Sequence, residues 1–297
     1  MLKNFFKLGL IGTSPGNGHP FSWSAIFNGF DHTLIDDCGF TAIPNYLKKK
    51  KYPDDFINSA QVTHIWTQDR KMSEKIAKTC FIENIVDKYT DMIGKVDGIL
   101  LARDDANFHY ELSKPFLLEG LPIYIDKPLA LTKSDALRIL KLQQYEGQVF
   151  SCSALKYAEE FTLTNSEKEE IGEILSIDGY VPKDWERYSV HIIEPILNLI
   201  PNRGRILDYE KIYNLDRTKL VLNFENVRVS LNAMGSKNIK TNIKLTGKLG
   251  SKNLVFHNTF DAFKKALLAF VKTINHKEKN YDCNNLLDII KIIELGI

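Results

Sequence analysis

The sequence is poor in the residues that build disulfide frameworks and structural metal sites. Its four cysteines, Cys38, Cys80, Cys152 and Cys283, lie far apart and form no C-x-x-C pair. An H-E-x-x-H segment is absent as well. These absences argue against a zinc site or a thiol enzyme, and scattered cysteines are typical of a reducing compartment. We therefore expect no metal and a cytoplasmic location.

Long apolar runs and a charge excess of either sign are also missing. No stretch approaches the about 20 apolar residues that a membrane-spanning helix requires. The 39 Lys and Arg residues almost balance the 37 Asp and Glu residues and leave a formal net charge of +2. We expect neither a membrane nor a nucleic acid as partner. The length of 297 residues is sufficient for about two domains.

A glycine-rich turn follows the first predicted strand, residues 6–12, but lacks one part of the dinucleotide-binding fingerprint. In dinucleotide-binding folds the glycines let the backbone approach a pyrophosphate, and the next helix supplies N–H donors. Ser14 occupies the second glycine position of G-x-G-x-x-G, although Gly16 and Gly18 can restore the close approach. A plain tight turn would produce the same residues.

The second predicted strand, residues 62–67, starts unusually late in the chain. The preceding connection is about twice the ~20 residues that are usual before the ribose-binding acid of this fold. We interpret residues of about 19–60 as an insertion. Its aromatic residues indicate a packed element, which would either cover the cofactor or meet another subunit.

Two residues just past this strand bear on the choice of cofactor. Asp69 fits the acid that hydrogen-bonds an adenosine ribose, and a carboxylate there repels a 2′-phosphate. This pattern favours NAD over NADP. Arg70 keeps NADP open, because an arginine can accept that phosphate or lie along the adenine.

Lys127 lies at the end of a short apolar run, residues 123–125, that is typical of a strand buried in a parallel sheet. Pro128 cannot donate to a strand ladder and pushes Lys127 towards an extended conformation. The lysine is therefore expected at the carboxyl end of a strand, where open α/β sheets bind their ligands. A surface lysine at a strand end is the alternative.

The overall pattern divides the chain into two parts. Strands alternate with helices up to about residue 128, and strand-rich sequence begins near residue 148. The first pattern is typical of an α/β parallel sheet and the second of an α+β domain with an antiparallel sheet. We predict a Rossmann-like domain over residues 1–128, with the insertion, and a second domain over residues 129–297. This prediction leaves the last helix with either domain.

The stretch from Gly120 to Thr132 resembles the Glu-Lys-Pro segment of the glucose–fructose oxidoreductase/inositol dehydrogenase (Gfo/Idh/MocA) family, with Asp126 in place of the usual glutamate. That family consists mostly of nicotinamide-dependent enzymes that act on sugars and cyclitols. The resemblance extends over nearly the whole chain. It implies a Rossmann-like parallel sheet followed by a domain with a large, mostly antiparallel sheet.

The resemblance also assigns roles to individual residues. His191 matches the family's catalytic histidine and Glu194 the acid three residues later, but Arg187 stands where the family commonly has aspartate. His109 resembles a histidine that opens a helix, and Asp105 falls where proline is usual. A buried structural histidine at position 191 and a core or helix-capping histidine at position 109 are the alternatives.

The chemistry implied by the family is hydride transfer between a nicotinamide and a secondary alcohol of a sugar or nucleotide-sugar. Lys127 would stabilise the developing alkoxide and His191 would accept the hydroxyl proton, in a site formed where the two domains meet. The expected substrate contacts are Lys127, Arg187, Tyr188 and His191. The expected cofactor contacts are Gly12, Thr13, Ser14, Gly16, Gly18, Asp69, Arg70, Asp105, His109, Lys127 and Pro128.

Other assemblies and functions stay open at this point. We expect helices to leave part of an apolar set in the predicted antiparallel sheet uncovered, which suggests a homodimer or homotetramer through that sheet. This set comprises Val221, Leu222, Val227, Val229 and Leu231. Ser14 and Arg187 favour a second hypothesis, a non-catalytic ligand-sensing protein of the same fold. A third is redox-assisted elimination at a glycosidic bond.

Overall fold

The structure, a computed structural model, describes residues 5–274 and 283–297, which include two six-stranded sheets. Cys38, Cys80 and Cys152 are buried, free thiols, whereas the side chain of Cys283 lies outside the described residues. No helix in these two ranges is long and apolar enough to cross a membrane. Nor do three or more His, Cys, Asp or Glu side chains come together there as metal ligands would.

The first sheet is entirely parallel and has the strand order β3-β2-β1-β4-β5-β6. Its strands are β1 (Phe6–Ile11), β2 (Ala60–Trp66), β3 (Asn84–Ile85), β4 (Gly98–Leu101), β5 (Ile123–Ile125) and β6 (Val149–Phe150). The short runs β4 and β5 are fully buried, as is typical of parallel strands covered on both faces. The predicted Rossmann-like α/β fold is confirmed.

Helices connect the strands and cover the sheets. In the described part of the chain they are α1 (His19–Asn28), α2 (Ala42–Leu47), α3 (Arg70–Thr79), α4 (His109–Leu118), α5 (Lys133–Leu140), α6 (Asn165–Ile171), α7 (Trp185–Tyr188), α8 (Val190–Leu199), α9 (Thr259–Ile274) and α10 (Cys283–Gly296). Short 3₁₀ turns are Leu34–Cys38, Tyr89–Met92, Ala106–Phe108, Ala154–Tyr157 and Glu159–Phe161.

The helix α1 is itself the crossover from β1 to β2, so the predicted insertion is shorter than residues 19–60. The additional chain is residues 29–59, and it covers the start of α1 closely. A β-carbon on Gly18 would lie 2.5 Å from Cδ1 of Ile43 and 3.0 Å from the ring of Phe40. Because this segment covers its outer side, α1 is buried over nine of its ten residues. A helix buried all round has no amphipathic stripe from which the sequence could reveal it.

The second sheet has the strand order β12-β11-β7-β10-β9-β8 and is antiparallel except for the parallel pair of β7 and β10. Its strands are β7 (Ile174–Val181), β8 (Ile206–Asn214), β9 (Arg217–Phe224), β10 (Arg228–Ala233), β11 (Asn242–Gly247) and β12 (Ser251–Val255). The predicted large, mostly antiparallel sheet is confirmed.

The helix α8 approaches β7 closely because the strand carries a glycine at the contact. A β-carbon on Gly179 would lie 2.7 Å from Cδ1 of Ile196 and 3.2 Å from Cβ of Ile192. Any larger residue would push the helix away from the sheet. This contact fixes the helix that carries His191.

The apolar residues that suggested an exposed sheet face are buried by the chain itself. These side chains are each at most 6% exposed: Val221, Leu222, Val227, Val229 and Leu231. The expectation that helices leave this set uncovered is wrong, because all five are buried by the chain itself. Most of the exposed large apolar side chains of this sheet lie on its edge strand β8, and Leu175 on β7 is exposed as well.

The chain forms two compact units that are not separated by a single cut. The first unit comprises Met1–Ala130, Ser134–Ser151 and Phe263–Asp282, and the second comprises Leu131–Lys133, Cys152–Ala262 and Cys283–Ile297. Most of α9 thus belongs to the first unit and α10 to the second. The helix α9 belongs to the first unit because Phe270 and Ile274 pack on Gly98 of β4. The helix α10 belongs to the second unit because the carbonyl of Ile293 accepts a hydrogen bond from Trp185 Nε1 at 2.8 Å.

Candidate functional site

Three strand ends of the first unit bring polar residues together. The strand order reverses between β1 and β4, and ligands of open α/β sheets bind beside the carboxyl ends at such a point. The residues that meet there follow β1, β4 and β5, and we call them the strand-end cluster. The cluster comprises Ser14, Asn17, His19, Asp104, Asp126 and Lys127.

Lys127 is a buried cation of this cluster and not a surface lysine. It is 4% exposed, and its Nζ lies 3.5 Å from Oδ2 of Asp104. Ser14 Oγ donates to Oδ1 of Asp104 at 2.6 Å, and the Asp104 N–H donates back to Ser14 Oγ at 3.2 Å. The serine that interrupts the glycine fingerprint therefore orients the carboxylate that faces Lys127. Pro128 is buried and follows Lys127 through a cis peptide bond.

Asp126 is 1% exposed and accepts three hydrogen bonds. Its Oδ1 accepts from the Lys127 N–H at 2.7 Å, and its Oδ2 accepts from Asn17 Nδ2 at 2.9 Å and from His19 Nδ1 at 2.5 Å. Burial alone would raise the pKa of Asp126, but His19, Lys127 and these hydrogen bonds hold it well below its ordinary value. The carboxylate therefore stays ionised.

His19 opens α1 and is held on several sides within the first unit. Its ring stacks on Trp23 at 5.0 Å and meets Phe263 edge-on at 5.1 Å between centroids. Its backbone N–H donates to Asn17 Oδ1 at 2.8 Å. The side chain keeps 16% of its surface exposed, whereas Asp126 is almost wholly buried. The imidazole is thus oriented by its surroundings yet still reachable.

Two glycines of the glycine-rich turn have positive φ angles, and only the first of them is in a close contact. Gly12 has a φ of +83°, and a β-carbon on it would lie 2.5 Å from Cγ of Arg103. Gly16 has a φ of +79° with no atom within 4 Å of its β-carbon position, so its backbone faces open space. Thr13 is tied to the end of β2, because its N–H donates to Gln68 Oε1 at 3.0 Å and its carbonyl accepts from Gln68 Nε2 at 2.8 Å.

The residues after β2 are exposed and already engaged. Asp69 caps α3 by accepting from the Lys71 N–H at 3.0 Å, which leaves acceptor capacity on its carboxylate. Arg70 donates to Asp87 at 2.8 Å and to Glu74 at 3.4 Å. Its charge is balanced by two acids, although exposed ion pairs of this kind are weak.

His109 and Asp105 both contact Arg103, in the loop after β4. His109 is fully buried, and its two ring nitrogens lie 2.9 Å from the carbonyl oxygen of Leu129 and 2.8 Å from that of Arg103. Asp105 binds the Arg103 guanidinium through both oxygens, at 2.7 and 2.5 Å. His109 therefore lies in the core between two loops, and its contact with the cofactor stays a prediction.

In the second unit, Ser153 connects His191 and Glu194. Its Oγ lies 2.7 Å from Nδ1 of His191 and accepts from the Leu155 N–H at 3.1 Å. Its own N–H donates to the carboxylate of Glu194, which is 3% exposed. Burial raises the pKa of Glu194 to about 7, against the opposing effects of Lys156 and this N–H.

Arg187 and Tyr188 lie on α7, just before the helix α8 that carries His191. Arg187 Nη2 lies 3.2 Å from Oδ2 of Asp184, so a carboxylate accompanies the cation that replaces the family's aspartate. The Tyr188 ring lies edge-on to His191 at 5.5 Å between centroids, and its hydroxyl accepts from Lys183 Nζ. Their roles in substrate binding stay predictions.

A cavity of about 700 Å³ opens elsewhere in the second unit, beside the C-terminal end of α8. Its lining includes Lys156, Pro195 and Arg203, but none of the predicted substrate contacts. Because it contains neither Tyr188 nor His191, this cavity is separate from the candidate site.

Residues 7–153 match a family model described as "Oxidoreductase family, NAD-binding Rossmann fold" (GFO_IDH_MocA). The chain belongs to the Gfo/Idh/MocA family. The resemblance carried by residues 120–132 is thereby confirmed. The strand-end cluster lies within the matched part of this Gfo/Idh/MocA protein.

Solved structures of the same architecture cover nearly the whole chain. Apo scyllo-inositol dehydrogenase from Lactobacillus casei has a TM-score of 0.74 at 12% identity, covering 100% of this chain and 96% of its own. UDP-N-acetylglucosamine 3-dehydrogenase from Acidithiobacillus ferrooxidans has a TM-score of 0.70 at 10% identity, covering 98% and 96%. Biliverdin reductase from Synechocystis, in complex with biliverdin and NADP⁺, has a TM-score of 0.69 at 13% identity, covering 98% and 97%. At these identities the likeness shows the fold alone, and a search of curated protein sequences finds no match.

Sequence reasoning missed several residues of the candidate site. His19 was assigned to the insertion, although its position directly after the glycine-rich turn was a usable signal. Asn17 and Asp104 likewise follow predicted strands at the sheet edge where ligands bind. Ser153 had no local signal, because its contact with His191 spans 38 positions of sequence.

Proposed function

We propose that this protein is an NAD(H)-dependent oxidoreductase that transfers hydride between the nicotinamide and a secondary alcohol of a sugar or nucleotide-sugar. The observation that carries the proposal is the buried ammonium of Lys127 beside the carboxyl end of β5. A buried cation at the ligand-binding edge of a Rossmann-like sheet is suited to stabilising negative charge on a reacting oxygen.

The nicotinamide, when bound, supplies the hydride acceptor, and the protein residues manage the proton and the charge. Lys127 Nζ lies 3.5 Å from Oδ2 of Asp104, so a buried carboxylate balances the charge of the ammonium. In this proposal the ammonium donates to an alkoxide that develops on the substrate. Ser14 holds Asp104 in place for this role.

His191 is the proposed acceptor of the hydroxyl proton. Its Nε2 can act as a base only when Nδ1 carries the proton and donates to Ser153 Oγ. That oxygen accepts from the Leu155 N–H as well, and a hydroxyl has capacity for two such bonds. Ser153 would thus orient the ring in place of the missing aspartate.

The dinucleotide would be held at the glycine-rich turn and by Asp69. The open face at Gly16 allows a pyrophosphate to approach the backbone, which is the fit expected for this group. Asp69 retains acceptor capacity for a ribose hydroxyl, whereas Arg70 is held by two acids. NAD is therefore the proposed cofactor in preference to NADP.

The proposed substrate class rests on the family and on the polar character of the site. The solved structures of this fold include proteins named as dehydrogenases of an inositol and of a nucleotide-sugar. The ammonium of Lys127 in the first unit, and the imidazole of His191 and phenol of Tyr188 in the second, are each groups that can hydrogen-bond a polyhydroxylated molecule. The buried free thiols Cys38, Cys80 and Cys152 suit a reducing compartment, and we place the protein in the cytoplasm.

Self-association through the edge strand β8 is also proposed. Leu207, Tyr209 and Tyr213 lie along this strand and are 63%, 49% and 69% exposed. A long edge strand with exposed apolar side chains tends to be covered by another chain. A second copy, paired symmetrically, is the proposed partner.

The proposed activity is tested with NAD⁺ and panels of inositols, sugars and UDP-sugars, following absorbance at 340 nm. We expect turnover on at least one class, and its loss in Lys127→Met. Lys141→Met is the matched control, because Lys141 is exposed and lies outside the candidate site. Nucleotide binding without turnover on any panel would favour the sensing protein instead. Product formation without net NADH would favour elimination.

A further inference from the structure

The pair formed by His19 and Asp126 is not used by the chemistry proposed above. Asp126 can only accept at its ionised Oδ2, so the proton between the two groups belongs to His19 Nδ1, 2.5 Å away. Nε2 is then the ring nitrogen that gains or loses a proton. The side chain keeps 16% of its surface exposed, so the imidazole is reachable from solvent.

The charge of the strand-end cluster depends on this one imidazole. The charged groups around His19 are the carboxylates of Asp126 and Asp104 and the ammonium of Lys127. The rings that contact His19, Trp23 on its own helix and Phe263 on α9, carry no charge. With a neutral imidazole the cluster has one net negative charge, and with an imidazolium it has none.

The cluster lies on the half of the sheet where the nicotinamide of a dinucleotide is expected. Asp104 follows β4, and Asp126 and Lys127 follow β5, on the side of the switch point opposite β2 and β3. In doubly wound sheets each half receives one mononucleotide, and the adenosine half lies over β1 to β3. A nicotinamide is cationic when oxidised and neutral when reduced.

We propose that His19 links its own protonation to the redox state of the bound cofactor, being neutral beside oxidised nicotinamide and protonated beside reduced nicotinamide. This inference rests on the proposed NAD(H) dependence. The physical reason is that an imidazolium and a pyridinium repel each other in a site of low dielectric. Binding of NAD⁺ therefore expels the Nε2 proton of His19 to solvent, and binding of NADH does not.

The linkage has a measurable consequence for affinity. Where one proton leaves on binding, the affinity for NAD⁺ rises about tenfold per pH unit, whereas the affinity for NADH stays flat. His19→Gln keeps an amide donor that can reach Asp126 but cannot titrate, so this slope disappears. His32→Gln is the matched control, because His32 is exposed and lies outside the cluster.

The test is calorimetric titration of each cofactor in two buffers that differ in ionisation enthalpy, over pH of about 5 to 8, where histidines ordinarily titrate. We expect close to one proton released with NAD⁺ and none with NADH at the acidic end. His32→Gln should retain this difference and His19→Gln should lose it. Equal proton numbers for the two cofactors, or an unchanged difference in His19→Gln, would overturn the inference.

Two further outcomes keep the result decisive. Should circular dichroism show that His19→Gln does not fold, the comparison of the two cofactors on the unmodified protein decides alone. Binding of neither cofactor would defeat the proposed function itself and the inference with it. That outcome differs from binding without a proton difference, which leaves NAD(H) dependence standing and removes only the role of His19.

Discussion

Ser14 Oγ lies 2.6 Å from Oδ1 of Asp104, and both side chains are buried. The residue that breaks the G-x-G-x-x-G spacing is therefore the residue that orients the carboxylate facing Lys127. The departure from the fingerprint has a structural purpose in this chain. Two roles of Ser14 can therefore be distinguished by mutation: a hydrogen-bond partner of Asp104, or only an impaired glycine position.

Ser14→Gly restores the fingerprint spacing but leaves the buried Asp104 without its hydroxyl partner. Removing one partner of a hydrogen bond to a buried charge costs about 1.5–3 kcal/mol. We expect a lower urea midpoint and a slower hydride step with no gain in NAD⁺ affinity. Denaturation curves and NAD⁺ titration measure these quantities. Tighter NAD⁺ binding with unchanged stability would show that Ser14 is only an impaired glycine position.

Glu194 predicts how the stability of the protein depends on pH. Its pKa is raised by burial from 4.5 to about 7, so the stability it contributes is complete below pH 4.5 and is lost as the pH rises through 7. Glu194→Gln stays neutral and avoids this loss. Relative to the unmodified protein, the variant should gain about 3 kcal/mol between these limits.

Urea denaturation at pH 4.5 and pH 8 measures this difference, with the exposed Glu169→Gln as control. The control should show the same pH dependence as the unmodified protein. If Glu194→Gln and the unmodified protein lose the same stability between pH 4.5 and pH 8, ionisation of Glu194 does not lower the free energy of unfolding.

Asp69 is predicted to accept a hydrogen bond from the adenosine ribose while it caps α3. Asp69→Ala should weaken NAD binding and narrow the preference over NADP, because the repulsion of a 2′-phosphate is lost. Asp69→Asn separates the two roles, since asparagine also caps helices but carries no charge. Calorimetry with both cofactors measures the preference. A tighter complex of the unmodified protein with NADP than with NAD would refute this assignment.

The edge strand β8 makes the oligomeric state testable by surface mutation. Leu207→Lys combined with Tyr213→Lys places two cations on this exposed strand. We expect a dimer or tetramer of the unmodified protein to become monomeric, because like charges would meet across a symmetric interface. Light scattering at micromolar concentration measures the mass. An unmodified protein that is already monomeric would remove this interface.

The sequence was most informative where neighbours along the chain determine the structure. The strand of residues 123–125 and the proline at position 128 place Lys127 at a sheet edge by local rules alone. The alternation of strands with helices up to about residue 128, and the strand-rich sequence from about residue 148, likewise predicted both sheets. Each of these features depends on fewer than about ten consecutive residues, which is the range of local patterns.

The remaining features depend on distant contacts. The partner of His19 is Asp126, 107 positions away, so no local pattern could assign its role. The same holds for α1, whose outer side is covered by residues 29–59. It also holds for Val229, which is buried although the sequence suggested an uncovered sheet face. Such burial is a tertiary property that periodicity does not encode.

His191 and Lys127 are predicted to act on one hydroxyl group. His191→Ala should lower kcat by about 10²–10⁴ and flatten the acid limb of the pH–rate curve, as loss of a general base does. The double variant with Lys127→Met should lose less than the sum of the two effects, because groups that act as a unit are not additive. Additive losses, or an unchanged pH–rate curve in His191→Ala, would separate the two residues.

The most direct test of the proposed mechanism is the single-turnover rate of NADH formation in Lys127→Met, on whichever alcohol the substrate panels identify. We predict a fall of about 10²–10³ in this rate at saturating NAD⁺, because the charge that stabilises the alkoxide is removed. Lys127→Arg should rescue little, since a planar guanidinium cannot replace a compact ammonium in a buried site. A rate within a few-fold of the unmodified protein would contradict the role of Lys127.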